Sequence, residues 1–210
     1  MEMTPQAAWA AYEQKNFETS EKIWLHILEQ ECDSERRNEY LAQYACVLVA
    51  LERFEEARTL YRGLFSEKQD HRYLHQLSII EREAAHLEEA LHWLKLEQEI
   101  LPLNDPSALA ANLCEFARVH GLQGKPNLCR KYAEEAFHTS VRAEDTIVQA
   151  YSLRLLGDSF RDTDPATAQR YYEKAANAFN QANEVSAIEE IQSLLVELKQ
   201  GTSERTLTTA

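Results

Sequence analysis

The sequence predicts an all-α fold of about five antiparallel helix pairs followed by a capping helix, and three observations carry that prediction. Apolar residues recur at helical spacing, most clearly over residues 38–66, where Leu41, Tyr44, Ala45 and Leu48 form one stripe and Ala57, Leu60, Tyr61 and Leu64 form another. The small residues Ala45 and Ala57 fall where these two helices would cross, with Phe54 and Tyr61 beside the crossing. Such a pairing lets backbones approach closely while rings fill the space around them. Finally, only five Gly and five Pro occur in 210 residues. Ala, Leu, Glu, Gln and Arg dominate instead, which leaves little material for strands or long loops.

Taken in order, the first unit covers residues 4–30. Thr4 followed by Pro5 is a good N-cap and first-turn pair, because proline there gives up a hydrogen bond the helix could not make. Ala8 and Ser20 take the small positions, Phe17 opens the second helix and Trp24 occupies the large position that Tyr61 fills in the second unit, 38–66. The third unit, 71–101, has Ser78 and Ala90 as small residues and Leu74, Leu77, Leu87 and Leu94 as its apolar frame, with Pro102 closing it. Asp105-Pro106 starts the fourth unit, 107–140, where Ala117 and Cys129 are the small pair among Leu113, Phe116 and Phe137. Gly157 and Ala168 serve the fifth unit, 146–181, whose second helix starts at Asp164-Pro165. One more helix, 184–199, carries Val185, Ile188, Ile191, Leu195 and Leu198 on one stripe and covers the open face of the last unit. Residues 1–200 are thus expected to form the repeat domain, and the polar stretch 201–210 a mobile tail.

Helix pairs with small residues at both crossing positions resemble tetratricopeptide repeats (TPRs), and YYEKAANAF in the fifth unit is the most family-like stretch. The units are spaced by about 37, 33, 39 and 39 residues, against roughly 34 for the commonest TPR. Longer units extend the second helix or add a connector, and they bring the chain nearer the extended repeats of bacterial peptide-sensing regulators. The resemblance covers residues 4–198 and implies a right-handed superhelix acting as an interaction module without an effector domain.

The net charge of -13 argues against a general nucleic-acid or anionic-membrane binder. MEMTPQAAW has no basic start leading into an apolar run, so a cytoplasmic protein is expected. Cys32, Cys46, Cys114 and Cys129 form no CxxC pair and read as free thiols. His71 and His75 share a helical face at metal-binding spacing, but no third ligand accompanies them, and neither a metal nor another cofactor is expected. Glu55-Glu56, Glu88-Glu89 and Glu134-Glu135 read as acidic starts of second helices, suited to the helix dipole, rather than as catalytic carboxylates. With no nucleophile motif or phosphate loop, the chain is not read as an enzyme.

The resemblance also implies a concave groove lined by the first helix of each unit. Family positions that usually contact ligands fall on Gln43, Arg72, His75, Gln76, Arg82, Arg118, Tyr151, Arg154 and Arg161, together with Cys46, Ile79 and Cys114. Every strong base among them is arginine, whose planar fork suits an acidic or carboxylate-bearing segment. Glu39, Glu83, Glu115, Asp158 and Asp162 fall on the same face, so ordinary intrahelical pairing is the competing reading. The carboxylate clamp of heat-shock co-chaperone repeats is not matched: the first three units offer only Gln43, Arg72 and Gln76. Two functions follow, a peptide- or protein-binding module and a structural protein that self-associates, as a homodimer through the first unit near Trp9, Tyr12 and Trp24.

Overall fold

A computed structural model describes residues 2–208, with side chains as far as residue 200. The described residues form eleven helices and no strand: α1 (Pro5–Glu13), α2 (Phe17–Gln30), α3 (Ser34–Ala50), α4 (Phe54–Glu67), α5 (His71–Glu83), α6 (Leu87–Ile100), α7 (Pro106–Leu122), α8 (Pro126–Arg142), α9 (Thr146–Phe160), α10 (Pro165–Gln181) and α11 (Val185–Thr208). None is long and apolar enough to cross a membrane. The chain divides into two compact units, Met1–Glu97 and Gln98–Ala210.

Local chemistry accounts for the boundaries. The side chains of Thr4, Asn16, Asp33, Asp105, Asp145 and Asp164 each accept a hydrogen bond from the backbone N–H three residues on. They satisfy donors that the helix leaves open. At the other ends, α1, α3, α5, α7, α8 and α10 all close in the same way. Lys15, Glu52, Ala85, Gly124, Glu144 and Asn183 take positive φ, and the next residue's N–H reaches back five positions, as in Arg53 to Leu48 O at 2.8 Å and His86 to Glu81 O at 2.7 Å. This is the Schellman closure, for which glycine is the usual residue, and here only Gly124 meets that preference.

In the first unit the core gathers Trp24, Leu48, Tyr61, Leu74 and Leu77 around the small pairs Ala8 with Ser20, Ala45 with Ala57, and Ser78 with Ala90, all of them buried. The Ser20 hydroxyl donates to Ala8 O at 2.9 Å, so the polar member of its pair is satisfied within the crossing. In the second unit Cys129, Tyr172, Phe179 and Ile191 surround Ala117, Gly157 and Ala168. The small-residue register read from the sequence is therefore the crossing register of the fold.

Four expectations need correction. The second helix pair begins at Ser34 rather than near residue 38, because Asp33 caps α3 through the Arg36 N–H at 2.9 Å. Glu134 and Glu135 lie in the middle of α8, whose first turn starts at Pro126 without a side-chain cap. Trp24 is no exposed edge: it is wholly buried, with its ring 6.2 Å from Trp9 and 5.7 Å from Tyr40. Finally, α11 runs past Lys199 to Thr208. One interior glycine, Gly201, costs a helix only about 1 kcal/mol and does not stop it. Residues 209–210 of the expected tail lie outside the described residues.

The longer spacings have a local cause. The second helix α8 has 17 residues where α2, α4 and α6 have 14, and a connector at residues 101–105 precedes α7.

Candidate functional site

The first helices of the pairs, with Arg161 just past the end of α9, carry the residues expected to meet a ligand, and the structure finds most of them engaged within the chain. In the first unit, Gln43 accepts a hydrogen bond from Trp9 Nε1 at 3.1 Å. Arg72 folds back on Asp70, its Nε 3.0 Å from both carboxylate oxygens, while its side chain stays 76% exposed. The Arg72 bond holds the Asp70 carboxyl below its ordinary range. His75 Nδ1 lies 3.0 Å from Glu97 Oε2 and His71 Nδ1 3.7 Å from Glu97 Oε1, so both imidazoles converge on one buried carboxylate. Arg82 is ion-paired with its neighbour Glu83.

In the second unit the guanidinium of Arg118 sits 5.5 Å from the centre of the Tyr151 ring and its Nε 3.5 Å from Glu115 Oε2. Tyr151 meets Phe179 edge-on at 4.9 Å, and burial pushes its hydroxyl up. Arg154 binds Glu190 of α11 through Nη2 at 2.8 Å and Nη1 at 3.2 Å, and approaches Asp158 only to 3.9 Å. Arg161 binds Glu197, also of α11, at 2.6 Å. The structure thus brings Arg118 to Tyr151 and Arg154 and Arg161 to α11. It leaves Arg72 apart, on its own cap residue.

One open cleft, with a volume of about 470 Å³, belongs to the first unit. Tyr12 of α1, Cys46 and Val49 of α3, and Gln76, Ile79 and Glu83 of α5 line it, with Tyr61 of α4 and Glu52 of the α3–α4 turn also contributing. Tyr61 donates its hydroxyl to Ala42 O at 2.7 Å and lies 3.9 Å from Cys46 Sγ. Burial raises the Cys46 thiol, which keeps it protonated and a poor nucleophile. The Tyr12 hydroxyl is raised too, chiefly by burial and then by the nearby Cys46 and Glu83. Gln76, Cys46 and Ile79 were expected on this face; Tyr12 was read instead as part of a self-associating edge, and the rim position of Glu52 was missed.

A buried charge cluster was also missed. Arg58 of α4 forms a two-pronged pair with Glu81 of α5 at 2.9 and 2.8 Å, and His86 Nδ1 stands 3.0 Å from Glu81 Oε2. Both Arg58 and Glu81 are nearly inaccessible to solvent. Burial raises the Glu81 carboxyl, but the Arg58 and His86 bonds outweigh it and leave the group below its ordinary range. The signal in the sequence is a charged residue on an otherwise apolar stripe in each of two consecutive helices.

Comparison with solved structures identifies the architecture. The chain is similar to a STAND (signal transduction ATPase with numerous domains) protein with a tetratricopeptide repeat sensor from Pyrococcus horikoshii, at TM-score 0.67 and 19% identity, over 89% of this chain and 30% of that one. It thus spans less than a third of the length of that relative. PilF of Pseudomonas aeruginosa matches at TM-score 0.60 and 17% identity, over 97% of this chain and 94% of that one. BtubC (BKLC) from P. vanneervenii matches at TM-score 0.59 and 15% identity, over 95% and 93% respectively. No protein-family model matches the sequence, and neither does any curated protein. At these identities the likeness establishes the fold: the chain is an array of TPR-type helix pairs.

Proposed function

We propose that this TPR-type array is a non-enzymatic, cytoplasmic module that binds a segment of a partner protein on the first helices of its pairs. The observation that carries this reading is the cleft of the first unit, bordered by α1, α3 and α5. Its volume of about 470 Å³ falls within the range of roughly 300 to 1,000 Å³ typical of ligand pockets. A sensor role for the repeats of the Pyrococcus protein fits the same reading. The test is capture of a partner by the full chain, repeated with Gln76→Trp, which fills the cleft from a half-buried position. A genuine partner should lose at least tenfold in affinity while the melting temperature stays within a degree or two. Equal capture by both proteins would refute the reading.

The preference for an acidic or carboxylate-bearing segment has a narrower basis. Arg154 and Arg161 offer the right chemistry, but Glu190 and Glu197 already supply carboxylates to them. An acidic segment would therefore bind in exchange with the glutamates of α11. Glu190→Gln with Glu197→Gln should then raise the affinity for an acidic peptide severalfold, and an unchanged affinity would end this preference. Self-association is the alternative, with Trp9 and Tyr12 still half-buried at the first helix. Sedimentation over a hundredfold concentration range separates a monomer from a homodimer.

A further inference from the structure

We infer that the cleft of the first unit receives a lysine or arginine side chain presented by an extended segment of the partner protein. The inference rests on the protein-binding reading above and adds to it the chemistry of the bound residue. It also runs opposite to the acidic preference drawn from the arginines.

The cleft combines two kinds of surface. Val49, Ile79 and the rings of Tyr12 and Tyr61 make its walls apolar and aromatic, while Glu52 and Glu83, both exposed, contribute carboxylates. Among the described residues, no lysine, arginine or histidine lines it. Arg82 pairs with Glu83 and so offsets one of the two negative charges, leaving the lining net anionic.

A ligand group must satisfy both surfaces at once. An aliphatic side chain would fill the apolar walls but take water from two carboxylates and return nothing to them. A glutamate or aspartate would add a like charge. Lysine and arginine carry an apolar stem beneath a charged head, so the stem packs on Val49 and Ile79 while the head reaches a carboxylate. The tyrosine faces add a cation–π attraction that acts only on a cation. At longer range, the net charge of -13 draws basic segments toward the chain and repels acidic ones.

The occupant is argued to be a protein segment from the origin of the walls. Apart from Tyr61 of α4 they come from three successive first helices, so a chain laid across α1, α3 and α5 places one residue in the cleft while its neighbours meet the helices on either side.

The test selects random dodecapeptides displayed on phage against the immobilised full chain and, in parallel, against Glu52→Gln/Glu83→Gln. Expected is a lysine or arginine at one fixed position among peptides enriched on the unaltered chain, and its loss from those enriched on the variant. A synthetic copy of the leading peptide should bind at least tenfold more weakly when that residue becomes norleucine, and equally so when the protein is the variant. Gln76→Lys, which plants a cation in the cleft itself, should reproduce the loss and guards against misfolding of the glutamine variant. Enriched peptides with no basic position, or the same basic position on both proteins, overturn the inference and leave the protein-binding reading standing. Failure to enrich any peptide on the unaltered chain overturns both.

Discussion

Gly157→Ala and Gly63→Ala should change stability in opposite directions, although both replace a glycine inside a helix. A Cβ at Gly157 would lie 2.5 Å from Tyr172 Cε1, 2.6 Å from Cδ1 and 3.1 Å from Cζ. Carbon atoms prefer a separation of about 3.5 to 4.0 Å, so the ring would have to retreat by roughly 1 Å. It has no room to do so. Tyr172 is completely buried, and its hydroxyl donates to Asp158 Oδ1 at 2.7 Å, which ties down the far end of the ring. Overpacking of this kind costs about 1 to 3 kcal/mol, against a gain of about 0.5 to 1 kcal/mol from replacing glycine in a helix. The two ranges leave a net loss of up to about 2.5 kcal/mol, and the pinned ring puts the expected value in the upper part of that range. Gly63, exposed in α4, has nothing within 4 Å of its added Cβ and keeps only the gain. Urea denaturation followed by circular dichroism reads both values, provided that the slopes agree with the unaltered chain. Adding Tyr172→Leu to Gly157→Ala should recover part of the loss and give a coupling of about 1 kcal/mol. A Gly157→Ala chain as stable as the original would refute the claim that the α9–α10 crossing is set by this contact.

Other outcomes follow from the same structure. Arg58→Ala strands a buried Glu81 and should cost about 3 to 5 kcal/mol, whereas Arg58→Met with Glu81→Leu should restore most of it, both measured by denaturant titration. Because Glu81 has a lower pKa folded than unfolded, its contribution is complete above about pH 5 and is lost as pH falls through the native value. Glu81→Gln should therefore show a shallower loss of stability on acidification, provided that the variant folds. Ala85→Gly removes a left-handed conformation that costs an L-residue roughly 1 to 2 kcal/mol and should raise stability by about 1 kcal/mol, with Gly124, already suited to its turn, as the comparison. Truncation after Gln181 removes Ile191 from the core it shares with Phe179 and should yield aggregates by light scattering.

Much of the fold was legible because it is written in short-range terms. An alanine at a crossing must be small whatever its neighbours are, so Ala45, Ala57, Ala90 and Ala117 declare their roles from spacing alone. The same holds for Thr4-Pro5, Asp105-Pro106 and Asp164-Pro165, each of which opens a helix as expected. Errors arose where a boundary lacks its usual mark. Lys125-Pro126 starts α8 without a side-chain acceptor, and the Schellman turns place lysine, glutamate and alanine where glycine is the familiar signal.

The candidate site was less legible because its electrostatics depend on partners far away in sequence. Arginines at family contact positions suggest a basic face only if they stand alone. Arg154 and Arg161 meet Glu190 and Glu197, each 36 residues on, a separation at which the expected intrahelical pair with Asp158 gives no guidance. The balance of signs runs the other way at the cleft of the first unit, where two carboxylates meet a single arginine. Glu52 sits at a turn for conformational reasons and Glu83 at a helix end, and neither position marks a ligand until the fold sets Tyr12, Cys46 and Ile79 beside them. Sequence reports which charges a face owns; the fold decides which of them are already spent on the chain itself. That distinction moves the expected ligand from a carboxylate on the arginines to a cation on the tyrosines.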